Sequence, residues 1–180
     1  MIIYKDILTD QEMVSDAYPM SEDKPVRGMM TFNCRMVKED GVGDYDIGAN
    51  ASQEEEAEQL QEAEQQMVVD IVSGFKLVET PMAKKDFKNF IKGEIKDMLK
   101  KIKEDMAENN VPEDKIKDKE DAFQKDAMSM AKWILERYDD VQLMIGSDYK
   151  TECMPGFLIN KGADDIHMYY FKHALVQEKC

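Results

Sequence analysis

Apolar residues recur at three- and four-residue steps through Phe87, Phe90, Ile91, Ile95, Met98, Ile102 and Met106, with Glu94 sharing the stripe beside Ile95. This spacing predicts a long amphipathic helix ending near residue 108, with Pro81 suited to its first turn. A second helix, over about 119–137, carries Phe123, Ala127, Met130, Ala131, Ile134 and Leu135 on its apolar face. Asn109-Asn110-Val111-Pro112 supplies the break between them. The pair reads as a helical hairpin over 81–138, inserted between strands.

Elsewhere the apolar runs are short. Ile2-Ile3-Tyr4 with Ile7-Leu8 reads as a strand, and Thr9-Asp10-Gln11-Glu12 as a polar turn out of it. Further strands are expected at 29–37, 68–72, 77–79, 141–145, 157–159 and 166–171. Short scattered strands around one helical hairpin predict an α+β class, a β-rich irregular set of sheets within a single domain over 1–180. Residues 52–66 are mostly Glu, Gln and Ala with Leu60 as the main apolar side chain. A segment with so little to bury is expected to stay mobile, so 39–66 is read as a flexible acidic loop.

The formal charge of −14 excludes a protein that wraps nucleic acid, because phosphate binding needs a basic surface. That charge is segregated. Residues 39–64 hold ten acids and neither Lys nor Arg, whereas 84–103 hold eight lysines against Asp86, Glu94 and Asp97. Lys84, Lys88, Lys92, Lys96 and Lys100 follow one another at four-residue spacing and are expected to line one side of the first helix as a basic row. A positive helix face on a net-negative protein matches an acidic protein surface.

Catalytic signatures are absent. The chain has no GxSxG elbow, no GxxxxGK[ST] phosphate loop, no HExxH and no GxGxxG, and Gly41-Val42-Gly43 runs into Asp44, whose charge repels phosphate. His167 and His173 flank an aromatic strand near its opposite ends, too far apart to chelate one ion, and read as structural or surface histidines. Cys34, Cys153 and Cys180 form no CxxC pair and suit a reducing cytosol. Fifteen methionines are many. Met98, Met106, Met128 and Met130 read first as core filling and second as a compliant partner surface. No apolar run approaches the length of about eighteen residues needed to span a bilayer, and Met1-Ile2-Ile3-Tyr4-Lys5-Asp6 lacks a signal-peptide pattern. The expectation is a cytoplasmic binding protein, neither membrane-bound nor an enzyme.

Ile47-Gly48-Ala49-Asn50-Ala51-Ser52-Gln53-Glu54 resembles the first signature of the translationally controlled tumour protein (histamine-releasing factor) family, with Gly48, Asn50, Ser52 and Glu54 as signature positions. The opening hexapeptide, Glu12-Met13, Ser15-Asp16, Val69-Asp70-Ile71-Val72, Phe90-Ile91-Lys92 and Glu178-Lys179-Cys180 are similar to that family in the same order. The second signature, which ends in Gly-Glu, is represented by Leu143-Met144-Ile145-Gly146-Ser147, with Ser147 in place of the glutamate.

The resemblance implies a fold similar to a small chaperone of Rab GTPases, weak calcium binding with unassigned ligands, no organic cofactor, and a cytoplasmic regulator of growth and survival with anti-apoptotic links. It points to tubulin and microtubules as partners of the basic region. Translation elongation factors and anti-apoptotic Bcl-family proteins are further implied partners. A second implied reading is regulation of a Rheb-type small GTPase through Glu12. It also implies a monomer that Cys180 can link into an oxidised dimer, as in forms secreted by a non-classical route.

Overall fold

The computed structural model describes residues 1–22, 24–38, 67–148, 150, 152–162 and 164–179. The acidic segment 39–66, with Gly48, Asn50, Ser52 and Glu54, and also Cys180, lie outside the described residues.

Among the described residues ten strands and three α-helices follow in the order β1 (Ile2–Asp6), β2 (Glu12–Ser15), β3 (Met29–Asn33), β4 (Met36–Lys38), β5 (Met67–Val69), α1 (Asp70–Phe75), β6 (Val78–Glu79), α2 (Lys84–Glu108), α3 (Glu113–Glu136), β7 (Val141–Ile145), β8 (Gly156–Asn160), β9 (Ile166–Phe171) and β10 (Leu175–Lys179). They form an α+β arrangement of three antiparallel sheets, ordered β10-β1-β2, β3-β9-β8-β7-β6 and β4-β5.

The five-stranded sheet is covered on both faces. Along β8 and β9, Phe157 and Phe171 point into one core with Phe87, Met98, Phe123, Met130 and Ile134 of the hairpin. Their neighbours Leu158, Met168 and Tyr170 point into a second core with Tyr4, Met13, Phe32 and Ile71. Period-two alternation therefore buries side chains on both faces of these strands, which is why they read as largely apolar runs, with Asn160 exposed and His167 and Tyr169 half-buried. Phe87 anchors the hairpin. It is fully buried against Tyr138 (ring centroids 5.1 Å) and Phe157 (6.3 Å), so truncation to Ala would cost about 3–5 kcal/mol. The Tyr138 hydroxyl donates to the Met82 carbonyl at 2.6 Å and ties the two ends of the hairpin together.

Several expectations need correction. Residues 68–72 are not one strand, because the chain turns helical at Asp70 and buries Ile71 completely, ending at Lys76 in the left-handed region (φ 52°). Burial of one side chain prevails there over the β-propensity of Ile and Val. The strand expected at 29–37 is split, since β3 and β4 belong to different sheets. Glu12 opens β2 instead of sitting in a turn, with Tyr4 paired to Val14, Lys5 to Glu12 and an irregularity between.

The turn itself spans 7–9, organised by Asp6, whose Oδ2 accepts from Leu8 N, Thr9 N and Thr9 Oγ1 while Oδ1 accepts from Met154 N. Pro81 lies before α2, and α3 begins at Glu113, one residue beyond Pro112, not near 119. Strand β10 is an addition. Only Leu175 of its residues is even half-buried, so its polar pattern gave no strand signal, yet it pairs with β1 from Ile2↔Lys179 to Asp6↔Leu175.

Candidate binding surfaces

Helices α2 and α3 pack along their apolar stripes and leave a groove of ≈670 Å³ between them. Ile91, Ile95, Ala127, Met128, Ala131 and Leu135 form its apolar lining, and Lys84, Lys88, Lys92 and Lys132 edge it. Met128 is 75% exposed although its helix neighbours Ala127 and Met130 are buried. Of the other methionines singled out on the hairpin, Met98 is buried and Met106 half-buried. They fill the core, and Met128 belongs to the surface.

The lysine row is divided. A four-residue step advances about 400° around a helix of 3.6 residues per turn, so the row drifts by about 40° per step and its ends lie about 160° apart. Lys84, Lys88 and Lys92 line the groove, whereas Lys96 and Lys100, also exposed, do not. No described residue forms an ion pair with any of the five, and the pairs of α2 use Lys101 with Asp105 and Lys103 with Glu120. Sequence spacing identified the cations, but not the apolar groove that three of them enclose.

A second, polar depression of ≈390 Å³ brings together Glu12, Lys5, Asp10, Lys76, Ser147 and Asp148. Gln11 is buried against Gly146, where a Cβ would collide with the Gln11 side chain, and the next residues of the two segments, Glu12 of β2 and Ser147 two positions past the end of β7, both line the depression. The residue at the altered signature position therefore shares a surface with Glu12, which is exposed.

Two charged groups interrupt apolar stripes: Glu94, which the sequence spacing places in the stripe of α2, and Asp126, which it does not single out. Glu94 is 6% exposed on the core side of α2, and its Oε2 is buried without a hydrogen-bond partner. Burial, then the nearby carboxylates of Asp6, Asp97 and Glu152, push its acid up to about 8. Asp126 is 6% exposed on α3, accepting from Arg27 Nε at 2.8 Å on Oδ1 and from His173 Nε2 at 2.8 Å on Oδ2. Burial alone would raise the Asp126 acid, but the bonds from His173 and Arg27 outweigh it and hold the carboxyl below its ordinary range.

His173 leaves the strand for a 3-10 turn, Lys172–Ala174, and its Nδ1 lies 2.8 Å from Lys119 Nζ. His167 remains on β9 beside Asp165, 3.2 Å away. The two histidines are thus in unrelated surroundings. Burial pushes the Cys34 and Cys153 thiols to about 12, the neighbouring carboxylates adding to it.

Among the described residues no group of three or more His, Cys, Asp or Glu is arranged to hold a metal ion, and no helix is long and apolar enough to cross a membrane.

Comparison with known proteins places this architecture. The sequence pattern of the family described as "Translationally controlled tumour protein" matches residues 1–176. Homologues of that protein from Schizosaccharomyces pombe and Aspergillus oryzae are each 35% identical, with 99% of both chains covered. One from Xenopus laevis is 33% identical over the whole of both chains. The solved S. pombe protein p23fyp covers all of both chains with a TM-score of 0.68 at 30% identity, and the solution structure from Caenorhabditis elegans has the same fold with a TM-score of 0.58. The chain belongs to the translationally controlled tumour protein family.

Proposed function

We propose that this protein acts by reversible association and is not an enzyme, and that the groove between α2 and α3 is its docking surface for an acidic segment of a partner, with microtubules as the partner class that family resemblance implies. One observation carries this reading: Lys84, Lys88 and Lys92 edge an exposed apolar groove on a chain of net charge −14. Lysines serving solubility alone need no apolar floor beside them. Here the groove offers contact area to an amphipathic acidic segment and the ammonium groups steer its approach.

Microtubule co-sedimentation tests it. A triple variant with Lys84→Gln, Lys88→Gln and Lys92→Gln should lose binding, while Lys96→Gln with Lys100→Gln should lose less. Equal sedimentation of the wild type and both variants at low and physiological salt would sink the proposal. In this reading the protein is a cytoplasmic regulator of growth and survival, with translation elongation factors and anti-apoptotic Bcl-family proteins as further partner classes. Weak calcium association belongs to its acidic segment 39–66.

A second reading, regulation of a Rheb-type GTPase, is favoured by the shared depression that Glu12 and Ser147 line. Nucleotide release from such a GTPase should then be accelerated further by Ser147→Glu and abolished by Glu12→Gln. No effect of either change would rule it out.

A further inference from the structure

A separate cleft of ≈770 Å³ opens between α3, the segment 24–30 and the end of β9, and shares no lining residue with the groove. Its charge is opposite to that of the whole protein. Lys24, Arg27, Lys119 and Lys172 line it against one described carboxylate, Asp126.

Both Asp126 oxygens are already engaged, by Arg27 and by His173. An ammonium has no acceptor, so the 2.8 Å contact between Lys119 Nζ and His173 Nδ1 requires Nδ1 to accept. The imidazole is therefore neutral, with its proton on Nε2, where it donates to Asp126. His173 consequently brings no positive charge, and Lys119 gains a hydrogen bond without a counter-charge.

Burial first, and then Lys172, lower the Lys119 ammonium from its ordinary range, although Asp126 opposes them. Gly28 closes the arrangement. At φ 89°, with Asp126 where a Cβ would stand, it lets the loop lie on α3, and its carbonyl accepts from Lys172 N at 2.7 Å. The floor is apolar, with exposed Met20 and half-buried Ile7 and Leu175 among its residues.

We propose that this cleft binds an amphiphilic organic anion, its carboxylate or phosphate head taken by Lys24, Lys119 and Lys172 and its aliphatic body lying on Ile7, Met20 and Leu175. An anion at this position neutralises ammonium groups that repel one another and covers apolar surface in the same event. The site is independent of the lysine-edged groove.

Isothermal titration of the full chain with octanoate and with octyl phosphate tests it, using octylamine and inorganic phosphate as comparison probes. Octanoate, octyl phosphate or both should bind saturably at one site, and which binds more tightly identifies the natural head group. Lys24→Gln and Lys172→Gln, both changes at exposed side chains, should each weaken binding roughly tenfold, as loss of one charge-assisted hydrogen bond does. Lys161→Gln, outside the cleft, should leave it unchanged.

Absence of saturable binding by both anions would overturn the proposal, as would undiminished binding in both cleft variants. Octylamine binding as tightly as octanoate would overturn the role of the lysines. Inorganic phosphate binding as tightly as octyl phosphate would overturn the role of the apolar floor.

Discussion

The phenol of Tyr170, buried on β9 of the five-stranded sheet, donates a 2.8 Å hydrogen bond to the carbonyl of Met13 on the three-stranded sheet. The two sheets are thereby tied one residue from Glu12. Tyr170→Phe keeps the ring and strands the Met13 carbonyl in an apolar core, so it should cost about 1–3 kcal/mol. In a chain of this length each kcal/mol lowers Tm by roughly 2–4 °C. Calorimetric melting checks this, and an unchanged Tm would show that the inter-sheet bond contributes nothing.

Glu94 is better tolerated as an acid than as a carboxylate. Its folded pKa of about 8 lies above its ordinary 4.5, so between those values the native state holds a proton that the unfolded chain has released. Stability therefore falls as pH rises through this window. Glu94→Gln removes that dependence and should raise Tm at pH 8 by a few degrees, on the order expected for about 1 kcal/mol, with little change at pH 5. Equal shifts at both pH values would contradict the assignment.

His173 has the opposite sign. Burial lowers its pKa below the ordinary 6.5, while Lys119 and Lys172 on one side and Asp126 on the other act in opposing directions. As pH falls below 6.5 the unfolded chain takes up the proton first, so stability present above that value is progressively lost. Protonation at Nδ1 also breaks the contact with Lys119. His173→Gln should flatten the decline of Tm between pH 7 and 5 relative to the wild type. Parallel curves for the two proteins would refute this.

Cysteine chemistry should fall to Cys180. Thiols at Cys34 and Cys153 held near 12 supply almost no thiolate at neutral pH. Cys180→Ser should abolish the oxidised dimer on non-reducing gels, and Cys34→Ser should not. A dimer that survives Cys180→Ser would redirect attention to Cys34, which is partly accessible.

The hairpin was readable from sequence because 3.6-residue periodicity repeated over two helices of 25 and 24 residues outweighs any local ambiguity. Six-residue α1 offered no such repetition, and Ile71-Val72 favoured a strand until tertiary burial decided otherwise. Nothing in Leu175-Val176-Gln177-Glu178-Lys179 signals a strand without its partner β1, because edge strands need no alternating apolar face.

At the candidate sites, spacing exposed the lysine row but hid its drift around α2. The pairing of Asp126 with His173 joins residues 47 apart and depends wholly on the fold. Its only trace in the sequence is a carboxylate inside an apolar stripe, between Phe123 and Ala127, as Glu94 lies between Ile91 and Met98.

The central claim, that an acidic partner docks in the groove between α2 and α3, is tested most directly by amide hydrogen exchange of the full chain with and without microtubules. Docking should slow exchange in 84–95 and 127–136 together, because both walls are covered at once, and the protection should fade as salt rises and the Debye length shortens to about 8 Å at physiological ionic strength. Protection confined to the surface around Glu12 and Ser147, or none on either helix while the protein co-sediments, would contradict it.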